Sequence, residues 1–219
     1  MNTQIFQQKI FTCSSILINE SSEYDDIVTC GVGGRIWNSS VILASFLKNK
    51  NIENYLQLEN KTILEIGAGA GICGLVCATN EKVKKVIISD RDPGCLKLIE
   101  KNLELNFRKV IYEKIEIAPL DWSNLDELTK FKDSFDVLIG SDIIYSLSMI
   151  DGLLMGLDFL CGKETDVVLA LADRGGEGSD YDYFMKKLVS SGKWKVDIVP
   201  DEFLDEKSYK IFILCLKKI

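Results

Sequence analysis

The stretch Thr62–Gly71, TILEIGAGAG, constrains this chain more than any other. Ile63, Leu64 and Ile66 make an apolar run of strand length; Gly67, Gly69 and Gly71 follow, and Ile72, Leu75 and Val76 continue at helical spacing. The order is strand, glycine turn, helix. Glycine lacks a Cβ, so such a turn can take positive φ and bring its backbone against a ligand at a helix N-terminus. A second apolar run, Val86–Asp90, ends in a carboxylate about 20 residues past the turn, where two acceptor oxygens can take both hydroxyls of a ribose. Together the two segments read as a nucleoside-binding crevice.

The glycine spacing leaves two readings open, Gly67-x-Gly69-x-Gly71 or the dinucleotide pattern Gly69-x-Gly71-x-x-Gly74. Glu65 sits just before the turn, on a strand expected to be buried on both faces, where an unpaired carboxylate is costly. Either the ammonium of an amino-acid-bearing nucleoside satisfies it, or a hydrogen bond to the N-terminal segment does.

Strand and helix patterns alternate from there: strand 62–66, helix 71–79, strand 84–90, helix 93–106, strand 110–117, strand 135–140, helix 148–160, strand 166–171, helix 180–191, strand 194–199 and strand 209–217. This predicts an α/β fold, a mostly parallel sheet with helices on both faces. Only residues 200–208 separate the last two strands, a hairpin-length connection, so the final strand is expected to run antiparallel. Upstream, Gln4–Phe11 and Ser15–Ile18 read as short strands and Asn19–Asp26 as an acidic loop. The turn Gly31–Gly34 then leads through Arg35-Ile-Trp37 into a helix whose Trp37, Val41, Ala44 and Leu47 share a face. The expected organisation is an N-terminal extension over residues 1–59, a lid or flank, on a domain over 60–219.

Composition narrows the chemistry. With 219 residues, 47% of them hydrophobic and 27% charged, the chain can bury one full core and suits a single globular domain. Histidine is absent, which excludes a Ser-His-Asp hydrolase, a histidine base and a histidine-ligated metal. The seven cysteines are odd in number and form no C-x-x-C, which suits a reducing compartment. Cys73 and Cys77 lie four apart on one helix but have no further ligand nearby, so core packing is the expected role and no metal is expected. The formal net charge is -7, from 26 Lys+Arg against 33 Asp+Glu, which argues against wide phosphate contact and for a basic or neutral partner. The first residues, MNTQIFQQKIFT, lack a signal-peptide core and no run reaches membrane-spanning length, so a soluble intracellular protein is expected.

Glu65-Ile-Gly-Ala-Gly-Ala-Gly71 with Asp90 resembles the first motif and acidic strand end of the seven-β-strand S-adenosylmethionine-dependent methyltransferases. Arg35-Ile-Trp37, Leu120-Asp-Trp122 and Gly140-Ser-Asp142-Ile-Ile-Tyr145 are similar to the marks of methyltransferase family 16, the protein-lysine methyltransferases, in its methyltransferase-like 21 group. These motifs fall in order from residue 35 to 145, and the later strands match in sequence.

The resemblance implies a three-layer Rossmann-like class I methyltransferase with seven strands, mostly parallel, and an antiparallel last strand. It implies S-adenosyl-L-methionine as methyl donor, S-adenosyl-L-homocysteine as product, and a lysine-bearing protein as substrate. Trp37 then lines the cofactor pocket, against a core aromatic; Asp90 binds ribose; Trp122 packs beside the adenine, against core packing. Asp121 either accepts from the adenine amino group or caps a turn, and Glu65, Gly67, Gly69, Gly71 and Ser141, the last where the family often has alanine, complete the cofactor set. Asp92, followed by Pro93, reads as a helix N-cap.

Asp142 and Tyr145 carry the transfer: the first orients the incoming amine and the second walls its channel, against a helix cap and a core ring. A sulfonium is already an activated donor, so no strong base is needed. The glycine-rich loop Asp173–Gly178 lies where such enzymes touch substrate. Monomeric state, a cytoplasmic location with the nucleus as a second one, and no nucleic acid or membrane partner complete the expectation. Three other readings stand beside it: a small-molecule, arginine or N-terminal amine acceptor; a non-catalytic cofactor-binding module; and a nicotinamide-dependent reductase using Tyr183-x-x-x-Lys187.

Overall fold

The computed structural model describes residues 10–13, 16–20, 30–107, 113–175, 178–200 and 210–219. Its centre is strand β3 (Thr62–Ile66), in which all five residues are buried. Leu64 and Ile66 face one helical layer and Ile63 the other, as expected for a parallel strand covered on both faces. Around it lie β4 (Lys85–Asp90), β5 (Ile115–Pro119), β6 (Val137–Ser141), β7 (Asp166–Ala172), β8 (Trp194–Ile198) and β9 (Ile211–Lys218). The sheet order is β5-β4-β3-β6-β7-β9-β8, with β9 antiparallel to both neighbours and the other six strands running one way. The antiparallel last strand is as expected, and it inserts between β7 and β8. Residues 201–209, which hold most of the expected connection, lie outside the described residues.

Among the described residues, three helices cover each face. Helices α1 (Asn38–Lys48), α2 (Ile72–Ala78) and α3 (Pro93–Asn106) form one layer with a shared core, which takes in Cys73 and Cys77. Helices α4 (Leu125–Phe131), α5 (Leu147–Leu160) and α6 (Asp180–Ser190) form the other. Asp92 caps α3 by accepting from Gly94 N at 2.7 Å, with Pro93 at the first helical position. Trp37 stands at the N-cap position of α1, one residue before the helix.

One difference from the expected elements has a physical reason. Helix α4 has no counterpart among the elements expected from the sequence; it is a seven-residue helix burying only Leu128 and Phe131, so it carries little periodicity. Strand β5 begins at Ile115, and residues 108–112 lie outside the described residues. In the N-terminal segment β1 (Ile10–Cys13) and β2 (Ile16–Asn19) pair antiparallel. The Asn106 side-chain amide fastens β2 to α3, accepting from Leu17 N and donating to Leu17 O, both at 2.6 Å.

Chain order reverses around β3: β4 and β5 build outward on one side, and the chain then returns to β6 on the other. Ligands bind at such a switch point, outside the carboxyl ends of the strands. Gly67, Asp90 and Asp142 all emerge there.

Candidate active site

The turn after β3 is held from both sides. Gly67, Gly69 and Gly71 have φ of 59°, 57° and 79°, the left-handed region that favours glycine. A Cβ on Gly69 would lie 2.4 Å from Gly33 O, so the Gly31–Gly34 turn closes directly over the glycine turn. Gly74 serves differently: it is helical, and a Cβ there would meet Glu65 Oε2 at 2.6 Å. Both spacings read from the sequence are therefore in use, one for backbone conformation and one for close approach of α2 to the sheet.

Asp90 ends β4 and is buried to 8% exposure. Its Oδ2 accepts from Gly69 N at 2.8 Å and its Oδ1 from Asp92 N at 2.9 Å, leaving one lone pair on each oxygen. Burial pushes this carboxyl above the ordinary aspartate range, against the two N–H bonds that favour its charged form. Asn102 supports the turn from beneath, donating to Ala70 O at 3.0 Å from a fully buried position.

A cavity of about 420 Å³ opens at the switch point, of a size that suits a nucleoside-sized ligand. Gly67, Gly69, Asp90, Trp122, Ser141 and Asp142 line it, as do Trp37 and Tyr145. Trp37 is 39% exposed and donates from Nε1 to Val32 O at 3.1 Å, so it is no core aromatic. Trp122 is buried between Gly67 and α5, where a Cβ on Gly156 would reach Trp122 O at 2.8 Å.

Three expected cofactor residues lie off this wall. Glu65 is 1% exposed and turned under α2, where Oε2 accepts from Gly74 N at 2.8 Å. Burial raises its carboxyl to about 8, so at neutral pH it is an uncharged acid unsuited to hold an ammonium. Its partner is α2, not the N-terminal segment. Gly71 starts α2 and backs onto Ile99. Asp121 takes its turn-capping alternative, with Oδ1 accepting from Ser123 N at 2.8 Å and Ser123 Oγ at 2.6 Å.

Asp142 follows β6 with φ 55°, an uncommon conformation for a residue with a side chain, and one that clusters at functional sites. It is no helix cap, since α5 starts at Leu147. Arg174 Nη2 donates to its Oδ2 at 2.5 Å; Oδ1 is buried and meets no donor among the described residues. The Arg174 guanidinium also lies 5.5 Å from the Trp37 ring centroid. Tyr145, 47% exposed, stands at the rim and is no core ring. Sequence reasoning does not single out Arg174, because only the β6–β7 pairing brings it to Asp142; the glycine-rich loop that holds it is the one local signal. Tyr183 and Lys187 lie off the cavity; Lys187 Nζ pairs with Asp151 of α5.

The cradle fits an S-adenosyl nucleoside with an amino-acid arm. It offers a glycine turn without Cβ atoms, acceptor lone pairs at Asp90, apolar walls at Trp122 and Ile143, and a second acidic end at Asp142. The chain is 29% identical over 161 residues to protein N-lysine methyltransferase METTL21A of Danio rerio, covering 73% of this chain and 68% of the relative. It is 28% identical over 170 residues to EEF1A lysine methyltransferase 3 of Xenopus tropicalis, covering 74% and 71%. The precorrin-6y C5,15-methyltransferase of Geobacter metallireducens GS-15 shares the fold, with a TM-score of 0.55 at 16% identity over 82% of this chain and 86% of that one. The family described as lysine methyltransferase matches residues 20–191, and the chain belongs to it.

Proposed function

We propose that this lysine methyltransferase binds S-adenosylmethionine across the switch-point cavity and methylates a lysine side chain of a protein that docks at the Asp142 edge. The observation that carries the reading is the shared cavity wall: the Asp90-backed glycine turn at one part of it and, at another, the buried carboxylate of Asp142 with one oxygen unpartnered among the described residues. When bound, the cofactor supplies a methyl group on a cationic sulfur, which the amine lone pair takes as the C–S electron pair stays on sulfur. The chain's own residues do the rest. Asp90 holds the ribose, Trp37 and Trp122 wall the pocket, Gly67, Gly69 and Ser141 let the ligand approach, and Asp142 with Tyr145 orients the acceptor. Glu65, Gly71 and Asp121 act behind this wall by shaping the turn and its surroundings.

Residues 1–59 serve as an extension on the catalytic domain of 60–219, and residues 30–37 contribute to the cavity wall. A protein acceptor is favoured by the names of the two relatives above, a protein N-lysine methyltransferase and an EEF1A lysine methyltransferase. The net charge of -7 suits a basic docking segment and disfavours nucleic acid. No helix among the described residues is long and apolar enough to cross a membrane. A cytoplasmic location, with the nucleus as the second option, and a monomeric state belong to the same proposal. The test is transfer of labelled methyl from S-adenosylmethionine into whole-cell protein extract, followed by hydrolysis. Labelled methyl-lysine in a discrete band is expected. Label in methyl-arginine, in an N-terminal residue or only in small molecules would overturn the acceptor assignment.

A further inference from the structure

A lysine amine has an ordinary pKa of about 10.4 and must lose its proton before it can attack a methyl group. A lone carboxylate at the acceptor station works against this, because an opposite charge at close range favours the ammonium. Asp142 is not a lone carboxylate. Its Oδ2 is taken by the Arg174 guanidinium at 2.5 Å, and its Oδ1 is left as a buried acceptor without a donor among the described residues. The Arg174 Cζ also lies 5.5 Å from the centroid of the Trp37 ring. It also stands between two cavities, sharing with Asp180 the walls of the main one and of a second, about 270 Å³, bordered by Ile144 and Tyr181.

We infer that Arg174 is a positioning residue that neutralises Asp142, so that the acceptor lysine docks on Asp142 Oδ1 as a neutral amine. The inference rests on the function proposed above. In this arrangement Asp142 contributes direction without contributing net charge. One amine N–H donates to Oδ1, the nitrogen lone pair stays free for the methyl carbon, and the proton removed beforehand leaves to water. A guanidinium is a fixed positive charge, and here it is the counter-ion of Asp142. Among the described residues, the other ionisable groups around this end are Tyr145 after β6, Asp173, Asp180 and Tyr181 of the β7–α6 segment, and Arg35 of the N-terminal wall. Asp173 Oδ1 is occupied by Gly175 N at 3.2 Å and Ser179 Oγ at 2.9 Å. Asp90, Arg91 and Asp92 belong to the β4 end of the cavity.

The test compares wild type, Arg174→Gln and Arg174→Lys for methyl-lysine formed in protein extract from about pH 7 to about pH 10. Below the acceptor pKa the rate rises with the neutral fraction, tenfold per pH unit. Removing the guanidinium leaves Asp142 alone with the amine and raises the acceptor pKa, so the rising limb of Arg174→Gln is expected to move up by on the order of one pH unit. Its defect is then about tenfold near pH 7.5 and closes as pH rises, while Arg174→Lys keeps the limb near that of wild type. Binding of S-adenosylhomocysteine by calorimetry is expected to match wild type in both variants. Parallel profiles would overturn the inference in favour of a structural role. A faster Arg174→Gln at neutral pH would overturn it by making Arg174 a plug that the acceptor must displace. Loss of S-adenosylhomocysteine binding would also overturn it by placing Arg174 in the cofactor cradle. Absence of methyl-lysine from wild type at every pH would instead bring down the proposed function itself.

Discussion

Asp90 uses both carboxylate oxygens on backbone N–H groups of Gly69 and Asp92, keeps one further lone pair on each, and lines the cavity. In the proposed function, losing it removes the ribose contacts and loosens the glycine turn at once. Asp90→Ala is expected to weaken S-adenosylmethionine binding by more than about tenfold, since a charge-assisted hydrogen bond contributes about 1.5–3 kcal/mol; calorimetry showing wild-type affinity would remove Asp90 from the ribose site. At this scale much of the site is legible in the sequence, because Trp37, Asp90, Trp122 and Asp142 sit in local motifs. What the sequence does not show is orientation. Glu65 and Asp121 carry the right chemistry, but their carboxylates turn to Gly74 and Ser123. Asn102 has a local signal, since it interrupts the apolar face made by Cys95, Leu98, Ile99 and Leu103 of α3.

Between β3 and α2 the coupling runs through one buried acid. Glu65 Oε2 accepts from Gly74 N, and burial raises the carboxyl from about 4.5 to about 8. The folded state therefore keeps this proton between about pH 4.5 and about pH 8 while the unfolded chain has lost it. By linkage the contribution to stability is full below the lower value and is lost as pH rises through the upper one. Glu65→Gln keeps an acceptor for Gly74 without the ionisation. The stability of wild type relative to Glu65→Gln is expected to fall from pH 5 to pH 9 by on the order of a few kcal/mol, at about 1.4 kcal/mol for each pH unit between the unfolded and folded values. Denaturant titrations giving a constant difference across that range would refute the buried neutral acid. Helix α4 shows why some elements escape a sequence reading. Its apolar pattern is too short, yet its start is written in Asn124 and Glu127: Asn124 Oδ1 accepts from Asp126 N at 3.1 Å, and Glu127 Oε2 accepts from Asp121 N at 2.7 Å.

Across the whole molecule, alternating strands and helices imply the layers, but the place of β9 between β7 and β8 depends on pairings that no local pattern encodes. The same holds for the site: β3 lies between β4 and β6, and that adjacency alone sets Asp90, the glycine turn and Asp142 around one cavity. The proposed function divides the labour between them, with cofactor on the β3–β4 side and acceptor at Asp142. The most direct measurement of that division is the pair of S-adenosylmethionine affinity and methyl-lysine yield for Asp142→Ala beside wild type. Affinity is expected to stay within about twofold of wild type and turnover to fall by on the order of a hundredfold, the scale lost when an acceptor is misplaced. Full turnover in Asp142→Ala, or a loss confined to cofactor affinity, would contradict the division.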